Sequence, residues 1–206
     1  GAQELGDLLG DEGQVIMRVD RLDPSKNIIR GFLAYETLLR RWPELHGHVR
    51  FLAFLIPSRQ GLPIYRKYER DVRALIRSIN AEFGANGWKP IVAFFENNRP
   101  RALAAMRRYD VLLVNPIIDG MNLVAKEGPA VNERNGALVL SRTAGAFEQL
   151  GDVALPITPT DIDETATELY EALRMSSRER AQRAERARAT VEAETPVDWA
   201  LAQLRD

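Results

Sequence analysis

Apolar residues along this chain fall into two alternating rhythms. Compact apolar runs occur at residues 15–19, 49–56, 90–95, 111–114 and 137–140. Runs this short, bounded by Gly, Pro, Asn or Asp, read as strands, and their near-continuous apolar character suits a sheet covered on both faces. Between them the period lengthens. Ile28, Ile29, Phe32, Leu33, Leu38 and Leu39 recur at helical spacing and stop near Pro43, which predicts a helix over 26–42 with Ser25 as a plausible N-cap. Tyr65, Val72, Leu75, Ile76 and Ile79 mark a second helix over 63–83, stopped by Gly84. A third, over 99–108, carries Leu103 and Met106, and a fourth opens near Asn122. Gly128-Pro129 should interrupt or kink that fourth helix, because Pro129 lacks a donor and disfavours α geometry before it. Residues 141–146 lead into another helix, and 153–157 read as a short edge strand. The recurring β-α alternation predicts an α/β fold: a parallel sheet with helices on both faces, taking ligands at the carboxyl ends of its strands.

The tail is helical by the same reading. Thr160 or Asp161 caps a helix to about Met175, Ser176 or Ser177 caps a charged one over 178–194, and Thr195-Pro196 opens a last one. That last helix, with Val197, Trp199, Leu201 and Leu204, has more apolar surface than a free tail needs. The expected organisation is a linker or N-terminal helix over 1–13, a ligand-binding domain over 14–160 and C-terminal helices over 161–206. Gly1 is not a natural initiator, so the expectation is a chain that begins inside a longer protein.

Composition narrows the partners. The 206 residues are 45% hydrophobic and 28% charged, enough for one sizeable core. A formal charge of -1 gives no global reason to expect nucleic acid or an anionic membrane. Arg178, Arg180, Arg183, Arg186 and Arg188 are interspersed with Glu179, Glu185, Glu192 and Glu194 and have no aromatic neighbours for base stacking, so they read as a solvated face. No apolar run approaches the length of about 18 residues that a bilayer requires. The absence of cysteine rules out disulfides and thiolate metal sites and suits a reducing, cytoplasmic setting. His46 and His48 stand in one loop without a third histidine or a carboxylate triplet, which reads as a surface turn.

Candidate chemistry gathers where strand 111–114 meets the helix near Asn122. Gly120 can take positive φ and admit a ligand close to the backbone, while the amides of Met121, Asn122, Leu123 and Val124 lack intrahelical acceptors and sit at the positive end of the helix dipole. Asp119 can accept from sugar hydroxyls, and Glu127 from another pair, such as a ribose diol. Taken alone, the spacing favours an ordinary strand–turn–helix corner. Arg21 and Lys26 after the first strand, and Arg59 after the second, are also more often plain surface residues. Their shared place at strand-to-helix transitions changes the balance, because this architecture brings such loops together. Two cations facing a helix N-terminus suit a diphosphate. No dinucleotide-binding, Walker A or nucleophile-elbow pattern occurs, and neither a Ser-His nor a Cys-His nucleophile system fits. The residues therefore point to a nucleotide with an anionic diphosphate and a hydroxyl-rich group.

The strings Val19-Asp20-Arg21-Leu22-Asp23-x-Ser25-Lys26, Pro57-Ser58-Arg59, Asp119-Gly120-Met121-Asn122-Leu123-Val124-Ala125-Lys126-Glu127 and Leu138-Val139-Leu140-Ser141-x-x-Ala144-Gly145-Ala146 resemble the C-terminal half of the trehalose-6-phosphate synthase family, from about residue 14 onward. The resemblance implies one Rossmann-like half of a GT-B fold. It also implies retaining transfer of glucose from a nucleoside-diphosphate glucose, usually UDP-glucose, to glucose-6-phosphate, with no metal or other cofactor. Carried over by motif, Arg21 and Lys26 would hold the diphosphate and stabilise the departing charge, and Asp119 would accept from glucose hydroxyls. The amides of Gly120, Met121, Asn122, Leu123 and Val124 would touch sugar and phosphates, and Glu127 would bind the ribose. Arg59 would lie near the acceptor phosphate or the donor diphosphate. Pro24 stands where the family often has Tyr, Asn27 where Gly is usual, and Gly128-Pro129 is unusual after the Glu. The implied partner is an N-terminal, acceptor-binding domain. Three alternatives stay open at this point: a non-catalytic nucleotide-sugar-binding module, a related synthase using glycerol phosphate or a cyclitol phosphate, and an unrelated small α/β protein.

Overall fold

The first strand, β1 (Gln14–Arg21), is the centre of a six-stranded sheet with β2 (Val49–Ile56), β3 (Ile91–Phe94), β4 (Val111–Val114), β5 (Ala137–Ser141) and β6 (Leu155–Ile157). The structure, a computed structural model, describes residues 13–193. All but Gly13 of the segment expected over 1–13, and the final helix from Thr195-Pro196, lie outside the described residues. All neighbouring strands pair in parallel, in the order β3-β2-β1-β4-β5-β6.

Alternation along β1 shows why the sheet is covered on both faces. Ile16 joins a core with Phe32, Leu38, Val72, Ile79 and Leu169, carried by α1 (Ile28–Arg41), α2 (Pro63–Phe83) and α6 (Ile162–Arg174). Val15, Met17 and Val19 point the other way, into a core with Ala102, Met106, Ala125, Leu150 and Ala187 from α3 (Arg99–Met106), α4 (Leu123–Val131), α5 (Phe147–Leu150) and α7 (Ser177–Ala193). The chain winds outward from β1 to β3 with one helical layer, then restarts at β4 and winds the other way with the opposite layer. The reversal opens a crevice outside the carboxyl ends of β1 and β4.

Several local expectations change. The helix expected over 26–42 with Ser25 as N-cap starts at Ile28 behind Asn27. Ser25 lies in a 3-10 turn, Pro24–Lys26, capped by Asp23, whose carboxylate accepts from Ser25 N–H at 2.9 Å and from the Ser25 hydroxyl at 2.8 Å. Gly128-Pro129 does not interrupt α4, which runs on to Val131. Gly128 has no Cβ to collide with the proline ring, and a Cβ there would lie 2.3 Å from Leu112 Cδ2, so glycine also lets α4 press against the sheet. The helix after residues 141–146 is a single turn, and the edge strand is confined to Leu155–Ile157. The two histidines lie on an exposed turn. Among the described residues no helix is long and apolar enough to cross a membrane.

Candidate functional site

At the crevice, β1 delivers Asp20 and Arg21 and the following turn delivers Lys26. From the other side, the segment after β4 delivers Asp119. The Lys26 ammonium forms an ion pair with the Asp119 carboxylate, and Asn122 donates to the same oxygen at 2.9 Å. Arg21, Lys26, Asp119, Leu123 and Val124 line one cleft of about 320 Å³. The expected meeting of the opening loop with the Asp119 corner is therefore realised in the fold.

The corner is built by a different residue than expected. Gly120 is not in the left-handed region; Asn122 is, at φ 55° and ψ 83°. Asn tolerates this conformation, and its side-chain oxygen accepts from Ala125 N–H at 3.1 Å, capping α4. The N–H groups of Leu123 and Val124 then open the helix with no acceptor a turn behind them in it. A Cβ at Gly120 would meet nothing of the protein, and Gly120 lines a depression beside the cleft rather than the cleft itself. Behind it, Gly145 packs against the corner: its N–H donates to Asp119 C=O at 3.0 Å, and a Cβ on it would fall 1.5 Å from the Gly120 oxygen. Met121 is exposed and lines a neighbouring depression with Gly120 and Lys126.

Asn27, where glycine was the familial expectation, is in the left-handed region at φ 58°, so the loop shape is kept. Its amide donates to Asn115 C=O at 2.9 Å and to Pro159 C=O at 2.7 Å, which tethers the Lys26 turn to two other loops. Asp23 carries a further bond from Tyr65 Oη at 3.2 Å. Burial alone would push the Asp23 carboxyl up, yet the bonds from Ser25 and Tyr65 outweigh it and hold the group below the usual carboxylate range. Arg59 is exposed and donates to Tyr65 Oη at 3.0 Å. It does not line the cleft, and its link to the site runs through Tyr65 and Asp23.

Glu127 lies in a second chamber of about 240 Å³, paired with Arg99 at 3.0 Å. Phe54, Leu103 and Met106 make its walls apolar. Val19, Ile56, Leu123 and Val124 line both chambers, so the charged cleft and the apolar slot are continuous across the start of α4. This slot is not evident in the sequence. Its polar lip, Asn97-Asn98-Arg99, follows β3, and the strand-end rule that found Arg21 could have flagged it. A larger depression of about 380 Å³ at the β6 edge, between α6 and α7, contains none of these groups. Among the described residues no group of three or more His, Asp or Glu could hold a metal ion.

Fold and crevice together define a class: a doubly wound α/β domain with a cationic cleft and an adjoining apolar slot at its switch point. The chain belongs to glycosyltransferase family 20, whose profile matches residues 2–206. It is 39% identical over 182 residues to the bifunctional trehalose-6-phosphate synthase/phosphatase of Thermoproteus tenax, covering 87% of this chain and 25% of that protein. It is 41% identical over 171 residues to the trehalose-6-phosphate synthase of Klebsiella pneumoniae, covering 82% and 36%. Among solved structures, a UDP-forming α,α-trehalose-phosphate synthase from Burkholderia xenovorans in complex with glucose-6-phosphate superposes with a TM-score of 0.93 at 33% identity, over 98% of this chain and 45% of that one. An E. coli trehalose-6-phosphate structure bound with UDP-2-fluoro glucose gives 0.92 at 36% identity, over 100% and 46%. The chain thus spans between a quarter and a half of the length of these relatives.

Proposed function

We propose that this chain is the donor-binding half of a retaining glucosyltransferase of the trehalose-6-phosphate synthase type, with UDP-glucose as donor and glucose-6-phosphate as acceptor. The observation that carries the reading is the continuity of two unlike chambers over one helix N-terminus. A nucleotide sugar has the matching polarity: a flat base, a ribose diol, a diphosphate and a hexose. The apolar slot suits the base, and Glu127 at its edge suits the ribose hydroxyls. Arg21, Lys26 and the amides opening α4 suit the diphosphate, and Asp119 the hexose.

Breaking the glycosyl–phosphate bond places positive charge on the sugar carbon and negative charge on the departing phosphate. Cations and amides fixed beside that phosphate stabilise the transition state more than the ground state, and no covalent nucleophile is required. Retention follows when the acceptor hydroxyl enters from the face the phosphate leaves, with a phosphate oxygen taking its proton. The acceptor-binding part is assigned to the remainder of the longer protein, in keeping with the length of the relatives. Its setting is a reducing cytoplasm, which the cysteine-free sequence suits.

Titration calorimetry with UDP and UDP-glucose tests the reading. Wild-type chain should bind both, and Arg21→Ala or Lys26→Ala should each weaken UDP by about 10- to 100-fold, the range for one charge-assisted contact. Unchanged affinity in both variants would refute the assigned roles.

A further inference from the structure

Arg18 is a charged residue in the middle of β1, on the side facing α1, and it is fully buried. Replacing a buried ion pair by packed apolar residues is often neutral or stabilising, so stability alone is a poor reason for its presence. Its partners suggest another. The guanidinium donates to Asp20 Oδ2 through Nε at 3.0 Å and Nη2 at 2.8 Å. Nη2 also donates to Lys26 C=O at 3.0 Å, and Nη1 reaches Ile28 C=O at 3.4 Å. These two carbonyls bracket Asn27, the left-handed residue that turns the chain from the Lys26 turn into α1. Asp20 meanwhile lines the cleft beside Arg21 and Lys26. Burial pushes its carboxyl up while Arg18 opposes that shift. The fold leaves space for the arrangement: a Cβ at Gly31 of α1 would lie 2.4 Å from Arg18 Nη1, so any larger residue there must push the guanidinium aside.

We infer that Arg18 is a positioning residue for donor binding: its fork, held by Asp20, fixes the backbone of Lys26 so that the ammonium is presented to the diphosphate. This role rests on the donor-site reading above. The planar fork is essential, since one ammonium at the same place cannot bridge a carboxylate and two separated carbonyls. Arg18 touches no ligand itself. Its effect passes through the main chain of residues 26–28.

The test compares UDP with uridine, which fills the apolar slot but carries no phosphate, using the full chain, calorimetry for UDP and an NMR titration for uridine. Arg18→Lys keeps the charge and loses the fork. It should weaken UDP by about tenfold and leave uridine within about twofold of wild type. Gly31→Ala reaches the guanidinium from the opposite side without altering any charge, and it should give the same selective loss. It decides the matter should the lysine variant not fold. Folded variants that bind UDP as wild type does, or that lose UDP and uridine equally, overturn the positioning role alone. A wild-type chain that binds neither ligand overturns the donor-site reading and this role together.

Discussion

The two ends of the sheet use polar groups in opposite ways. At the amino end they are spent inside the protein. Tyr35 Oη donates to Val49 C=O at 2.9 Å, Asp110 accepts from Val15 N–H at 2.8 Å, and Asn132 bonds Met106 C=O, Tyr109 C=O, Arg134 N–H and Gly136 N–H. At the carboxyl end polar groups line the cleft: Lys26 and Asp119 pair across it, and the first α4 amides open onto it. Ile118 and Leu123 stand there exposed at 72% and 59%. On the proposed reading the amino end serves stability and the carboxyl end a ligand, so substitutions at the two ends should move different observables.

The largest expected effect is at Gly145. Gly145→Ala sets a methyl group against the Gly120 carbonyl and must displace the corner, so UDP-glucose binding should fall by more than about 100-fold in calorimetry. Near wild-type affinity in a folded variant would mean the corner does not shape the site. Next comes the amino-end control. Asn132→Ala strands several buried backbone groups and should cost about 2–4 kcal/mol in urea unfolding, with donor affinity of the folded protein unchanged. Gly120→Ala sharpens the contrast from the other side. Because its Cβ would meet open space, stability should stay within about 0.5 kcal/mol of wild type, and an accompanying loss of UDP-glucose affinity of about tenfold would mark the depression it lines as part of the donor site.

The smallest effect concerns pH. Asp23 is held below its ordinary value of 3.8, so its contribution is fully present above that pH and is lost as pH falls through the lower folded value. The stability difference between wild type and Asp23→Asn should therefore be constant at neutral pH and shrink only in strong acid. A difference that grows on acidification would reverse the assigned sign.

Much of this contrast could be read from the residues alone. The apolar run at 49–56 and the helix at 63–83, bounded by Pro63 and Gly84, were legible because chain-breaking residues mark their ends. Arg21, Lys26 and the Asp119 corner were legible because each follows a recognisable strand and the strand-end rule brings them together. The apolar slot was not, since Phe54, Arg99 and Met106 come from separate elements and look like ordinary core or surface residues in sequence. Arg18 was hidden for the opposite reason: a lone Arg inside an apolar run reads as an interruption until its carbonyl partners appear. Glycine is the default for the left-handed conformation, which points to Gly120 in the sequence. The structure gives the place to Asn122, whose side chain can cap the helix as well.

The ion pair between Lys26 and Asp119 carries one more consequence. Lys26 and Asp119, which the proposed reading assigns to phosphate and to sugar, satisfy each other across the cleft. A phosphate arriving alone would claim Lys26 and strip Asp119 of its counter-charge, and a free hexose would have to compete with an ammonium for Asp119. A molecule bearing both groups at the right separation compensates each side of the broken pair, whereas UDP compensates Lys26 alone. UDP-glucose should therefore bind more tightly than UDP, and inorganic phosphate or glucose alone should bind only weakly.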